Sequence, residues 1–346
     1  MEMNDLLPVL VLFPFAGAVV SWLIGRKSKT GRNRFAEFVV MAECAFCAVL
    51  FAGAVGGWLT AAGDAVGAAG NAGGAAGVAG NAASAALEFS CPGFGMGLHF
   101  VLDGFRGLYS LIASFMWMMT GLFSREYFGH YRNRNRYYFF MLMTLGATVG
   151  VFLSADLYTT FLFFEIMSFT SYVWVAHDES EGALRSAATY LAVAVTGGLV
   201  MLMGLFLLYD LCGTLSFTEL PAAVAAVRES GGLTASTQGE DAVLSLSGGS
   251  AAGIPPLTQL YLAGGCLLFG FGAKAGAFPL HIWLPKAHPV APAPASALLS
   301  GILTKTGVFG VIAVTVTLFA CDGKWGSLVL LLGVATMALG AFLAVF

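Results

Sequence analysis

Three ionisable side chains stand deep inside runs that are otherwise apolar: Glu165, Lys274 and Lys305. Glu165 lies midway along "DLYTTFLFFEIMSFTSYVWV". On a helix Tyr158, Ser168 and Tyr172, at i−7, i+3 and i+7, share its face. Lys274 ends the glycine-rich "FGFGAKAGAFP", and Lys305 lies in "LLSGILTKTGVFG", 31 residues further on. A charge at bilayer depth costs ~3 kcal/mol even on insertion scales, so each of these residues needs a reason to be there. A carboxylic acid and an amine that face each other away from water titrate as a coupled pair, and such a pair can take up and release protons. The spacing therefore points to proton transfer, with Glu165 opposite Lys274 in direct or single-water contact and Lys305 as the next carrier. Thr304 and Thr306 are placed to orient Lys305.

His281 follows Lys274 by seven residues and shares its face if the chain resumes as a helix. Imidazole titrates near neutrality and suits a relay. A packing role for His281 is equally open. His288, further along, and Glu43, in the second apolar run, are weaker candidates, and Glu43 reads first as structural. Cys44 and Cys47 have helical spacing but no second pair, so no metal site is expected. No Cys cluster, Rossmann glycine fingerprint or haem-type histidine pair is present, so no cofactor is expected either.

The elements that must position these groups follow from composition. The chain has 346 residues, 58% of them hydrophobic and 10% charged, with mean hydropathy +0.83. A soluble domain carries about 25% charged residues. The chain is an all-α polytopic membrane protein, and its net charge of −3 gives no reason to expect a nucleic-acid partner. A helix crosses the hydrocarbon in about 20 residues. Runs of that kind lie near 6–24, 36–60, 99–123, 137–154, 157–176, 186–211, 257–277, 292–320 and 325–346, nine in all. The glycines before Pro279 predict a break in the seventh helix, and a broken helix at membrane depth is tolerated only inside protein or along a wet cavity.

Lys and Arg set the orientation. Arg26, Lys27, Lys29, Arg32, Arg34, Arg125, Arg132, Arg134, Arg136, Arg185 and Lys286 fall on one side, against Arg228 and Lys324 on the other. That asymmetry predicts an N-terminus outside the cell membrane. The acidic start followed by an apolar run and then a basic cluster reverses the order of a signal peptide, so the first run reads as a retained span. Residues 61–91 are Ala/Gly/Asn-rich and 229–256 Gly/Ser-rich; both read as flexible outer loops, with a short surface helix at 218–228. The chain divides into 1–136 (three helices and the loop 61–91), 137–320 (helices four to eight with the outer loop 218–256), and 321–346, the start of a further unit that reads as cut off inside "MALGAFLAVF".

With these residues in place, the chain resembles the antiporter-like subunits of respiratory complex I, and with them the Mrp-type cation/proton antiporter subunits and the membrane subunits of energy-converting hydrogenases. The resemblance rests on "DLYTTFLFFEIMSFTSYVWV", on "GAKAGAFPLHIWLPKAHPVAPAPASALLSGILTKTGVFG" and on "FVLDGFRGLY". It implies a fold of about fourteen helices with inverted five-helix repeats, each with a broken helix, of which this chain holds about nine. It implies that Glu165, Lys274, Lys305 and His281 form a proton path, and that a titratable residue of the second repeat, absent here, completes it. It further implies a bacterial or archaeal membrane complex in which other membrane subunits and lipid are the partners and protons or Na⁺ the ions moved, with no redox centre in this chain. Lys286 in "WLPKAHP" is closer to the hydrogenase and Mrp branches. A solute permease and a purely structural subunit are the competing readings. A permease calls for a solute-sized pocket with several Asn, Gln or Arg, and the spans offer almost none.

Overall fold

The computed structural model describes residues 6–69, 87–91, 96–130, 134–233 and 254–345. Its helices are α1 (Leu6–Lys27), α2 (Lys29–Ala69), α3 (Gly104–Tyr127), α4 (Arg134–Leu153), α5 (Leu157–Val175), α6 (Glu181–Cys212), α7 (Leu220–Leu233), α8 (Pro256–Ala275), α9 (Leu284–Ala287), α10 (Ala293–Leu298), α11 (Thr304–Leu318) and α12 (Gly323–Val345). Two strands, β1 (Leu87–Cys91) and β2 (Leu98–Leu102), pair antiparallel with Leu87 opposite Leu102 and Cys91 opposite Leu98. Among the described residues eight helical segments are long and apolar enough to cross a membrane. The ninth expected span, α5, is a helix of 19 residues that carries Glu165 with several Thr and Ser and is not among those eight. Hydrocarbon-length helices leave the protein multi-pass in the membrane.

The structure corrects several boundaries. The first two helices are separated by Ser28 alone, because the Ser28 hydroxyl accepts from Gly31 N–H and its carbonyl from Arg32 N–H. The basic cluster expected as a loop therefore belongs to helix ends. Within the stretch 61–91, expected as a flexible loop, residues up to Ala69 continue α2 and Leu87–Cys91 form β1; alanine is the best helix former. The rest of that stretch, 70–86, lies outside the described residues, as does 234–253 of the second expected loop. The run near 99–123 begins in β2, and α3 starts only after Asp103, whose carboxylate caps it by accepting from Arg106 N–H at 2.7 Å. Asp156 caps α5 in the same way through Thr159 N–H.

The helices form one packed core, with Trp117, Trp174, Trp283, Tyr137, Tyr190 and Phe271 nearly or wholly inaccessible. Close approach between α6 and α8 depends on two glycines. A Cβ on Gly270 would lie 2.5 Å from Met201 Cβ and 2.8 Å from Gly197 O. At the far end of α11 the turn before α12 is tied by Asp322, which accepts from Tyr261 Oη at 2.6 Å and pairs with Arg228 at 3.1 Å. The Tyr261 hydroxyl, above all, holds the Asp322 carboxyl below the usual carboxylate range. A depressed carboxylate adds stability that is present above its unfolded value, near 3.9, and is lost as pH falls through the folded one. Tyr261→Phe is therefore expected to lower the melting temperature at neutral pH, and the gap to wild type should narrow in acid below pH ~4. Thermal melts across that range check it.

Candidate proton-transfer site

The site is built around the end of α8. Gly276 ends that helix in a left-handed conformation, φ 77°, which a Cβ disfavours. The chain then passes Pro279 into a single tight turn, Leu280–Trp283, before α9. The carbonyls released at the break find new donors. Gly272 O accepts from Gly276 and Ala277 N–H, and Ala273 O accepts from Trp283 Nε1 at 2.8 Å. The expected break therefore lies where the glycines and proline put it, and it leaves Lys274 in the last turn of α8 with only 3% of its surface exposed.

Lys274 Nζ donates to Ser168 Oγ at 3.0 Å and to Tyr190 Oη. Tyr190 Oη in turn lies 2.6 Å from Ser171 Oγ. The ammonium sits 4.9 Å from the Tyr190 ring centroid, a favourable cation–π distance. Trp283 packs edge-on against the same ring, at 4.9 Å, and so joins the break to α6. The cavity here is ≈ 10 Å³, far below the several hundred Å³ of a small-molecule site. A much larger cavity, ≈ 740 Å³, lies at the other end of the bundle beside the β-hairpin and is lined by His99, Asp103, Arg106 and Asp156.

Of the two forms of Glu165–Lys274 contact expected, direct or through one water, the direct one is not formed: no ion pair within 4.0 Å joins them. The lysine reaches the hydroxyl one turn away from Glu165 instead. Each is still the charge that acts electrostatically on the other. Glu165 Oε1 is buried without a hydrogen-bond partner and stands where a Cβ on Gly198 of α6 would come within 2.3 Å. Gly198→Ala is accordingly expected to displace the carboxylate. Overpacking of this kind costs about 1–3 kcal/mol, which a lowered melting temperature would register.

Lys305 is exposed on α11, donating to Ser300 O at 2.6 Å and Thr304 Oγ1 at 3.3 Å. A π-helical turn, Leu299–Leu303, lies between α10 and α11 just before it. Such a turn shifts hydrogen bonding from i+4 to i+5 and recurs at functional sites. Here the Lys305 ammonium and the Thr304 hydroxyl both use the Ser300 carbonyl. Thr304 orients Lys305, but Thr306 is turned away, bonded to Leu303 O beside Met167 Sδ. His281 is half-buried, stacked on Phe278 with its Nδ1 unpartnered, and hydrogen-bonds to neither lysine. His288 lies beyond the span, 2.8 Å from Ser296 Oγ, and burial lowers its pKa below the ordinary imidazole value. Glu43 is wholly buried on α2, apart from Lys274 and its partners. Among the described residues no His/Cys/Asp/Glu group could hold a metal. Sequence reasoning missed Tyr190, Ser171 and Gly198. A tyrosine one turn from the basic end of an apolar run, followed by a glycine pair seven and eight residues on, was the available signal.

Residues 154–346, more than half of the chain and the part that carries α5, the break and Lys305, match the family described as the NADH:quinone oxidoreductase/Mrp antiporter membrane region. The chain belongs to that family. Within it, the chain is 29% identical over 248 residues to hydrogenase-4 component B of Escherichia coli K12, covering 70% of this chain and 32% of that protein. It is 27% identical over 250 residues to an Na⁺/H⁺ antiporter subunit of Alkalihalophilus pseudofirmus, covering 72% and 45% respectively. The chain thus spans between about a third and a half of these antiporter-family relatives. The same fold appears in the Mrp complex of a Dietzia species, with TM-score 0.69 and 20% identity over 99% of this chain and 54% of that one. An archaeal membrane-bound sulfane sulfur reductase shares it at TM-score 0.67 and 23% identity, over 90% of this chain and 41% of that one.

Proposed function

We propose that this chain is the proton-handling part of a membrane subunit that moves protons, alone or in exchange for Na⁺, within a larger membrane complex. The observation that carries the reading is the state of Lys274. A lysine buried at a helix break, hydrogen-bonded to two hydroxyls and within the field of a separate carboxylate, gains little as a structural ion pair. It has what proton exchange requires: neutral hydroxyl partners that can both donate and accept, and a charge nearby that does not lock it. Proton transfer runs through hydrogen-bonded groups within ~3 Å, and Lys274, Tyr190 and Ser171 form such a run between α8, α6 and α5.

Lys305, with its own hydroxyl and carbonyl partners, is the next carrier in this reading, reached from Lys274 by groups outside the direct contacts of either. His281 and His288 serve it in supporting roles. The sidedness that fits the distribution of Lys and Arg puts the N-terminus outside a prokaryotic cell membrane, with neighbouring membrane subunits as partners. The size of the cavity at Lys274 speaks against a solute permease. Proton pumping by the assembled complex in vesicles tests the assignment. Lys305→Ala is expected to assemble and to lose most of the transport, and Lys305→His to keep part of it. Normal pumping by Lys305→Ala would remove Lys305 from the route.

A further inference from the structure

Glu43 has no surface exposed, and both of its carboxylate oxygens lack any hydrogen-bond partner. The packing around it is well determined. A Cβ on Gly121 would meet Val40 at 3.0 Å, one on Gly107 would meet Phe51 at 3.0 Å, and the Cys47 thiol meets the Ser114 hydroxyl. These three pairs align α2 and α3 antiparallel, with Glu43 between the level of Val40 and Gly121 and that of Cys47 and Ser114. On the other side a Cβ on Gly17 of α1 would meet Val39 at 2.9 Å.

Among the described residues no cation is placed to balance an ionised Glu43. On α1 the charged residues are Arg26 and Lys27, in its last turn. On α3 they are Arg106, committed to Asp103 at one end, and Arg125 beside Glu126 at the other, with Arg125 turned to Glu37. On α4 they are Arg134 and Arg136 in its first turn, bonded to Gly129 O and to Glu179. The remaining titratable neighbours, Cys44 and Cys47, carry no positive charge. A carboxylate without solvent, donor or counter-ion is far costlier than the neutral acid, and a group so placed neutralises.

We propose that Glu43 carries a proton as a carboxylic acid in the resting protein, so that the α2–α3 seam holds a second proton-binding site, separate from the one at Lys274. It differs from that site in kind. Lys274 is tied to hydroxyls on two helices, whereas neither carboxylate oxygen of Glu43 is bonded, and its titratable neighbour along α2 is Cys47. The inference does not depend on transport passing through Lys274.

Infrared spectra of the full chain in its complex, recorded for wild type and Glu43→Gln at neutral pH, test it directly. The difference spectrum is expected to show the carbonyl band of a protonated carboxylic acid, lost in Glu43→Gln, kept in Glu165→Gln and shifted by exchange into heavy water. A spectrum in which Glu43→Gln removes only carboxylate bands would overturn the proposal. Should Glu43→Gln fail to assemble, Cys47→Ser keeps the acid and puts a hydroxyl in place of the thiol one turn along from it. A shifted acid band then supports the proposal, and an unchanged spectrum in that region counts against it.

Discussion

Alanine at position 274 is expected to abolish proton transport, a loss of at least about tenfold, while the subunit still inserts and assembles. The ammonium is a small part of the packing: its stem lies among Phe164, Ala273 and Trp283, and the break itself is held by Gly276 and by the Trp283–Ala273 hydrogen bond. What alanine removes is the group that donates to both Ser168 and Tyr190. A tenfold loss corresponds to about 1.36 kcal/mol in the barrier. Ser168 keeps its bond to Phe164 O and Tyr190 its bond to Ser171, so the loss falls on transport rather than on assembly. Proton-pumping rates beside an assembly control measure it.

Glutamine at position 165 is expected to have the second-largest effect, reducing transport several-fold to about tenfold. The substitution keeps the size of the side chain against Gly198 and removes the charge that acts on Lys274. Residues that share one electrostatic unit show coupling of about 0.5–3 kcal/mol, so the double variant Glu165→Gln/Lys274→Ala should be little worse than Lys274→Ala alone. Additive losses would mean that the two side chains act on separate steps. Rates for the four proteins of that cycle, taken in one vesicle preparation, decide between these outcomes.

The membrane class, the order of the spans and the break after Lys274 were legible because each rests on a local property: apolar length, Gly and Pro chemistry, and the side on which Arg and Lys fall. The partners of Lys274 were not. Charge at depth calls for compensation, and the sequence reading assigned that role to the mid-span acid Glu165. In the structure hydroxyls meet the need: Ser168 was visible on the Glu165 face but not as a partner of Lys274, and Tyr190 does not stand out in an apolar helix because tyrosine occurs there for many reasons. The hydrogen bonds of Lys305 were not legible for a different reason. Position along a span sets depth but not direction, and the π-helical turn at Leu299–Leu303 that turns the residue toward Ser300 O has no sequence signature of its own. The length of α2 was missed because an Ala/Gly stretch is helical or not according to its neighbours, and here α2 leads straight into it.

Lys274→Arg separates proton exchange from a structural charge more sharply than any other substitution at this site. Arginine retains the positive charge, the donors and much of the stem, but its guanidinium does not give up a proton in proteins. The measurement is the rate of proton pumping by the assembled complex in sealed vesicles, with subunit content checked by mass spectrometry. If Lys274 passes protons, Lys274→Arg assembles fully and pumps at a rate close to that of Lys274→Ala. Wild-type pumping by Lys274→Arg would show that the residue supplies charge alone and that the proton takes another way.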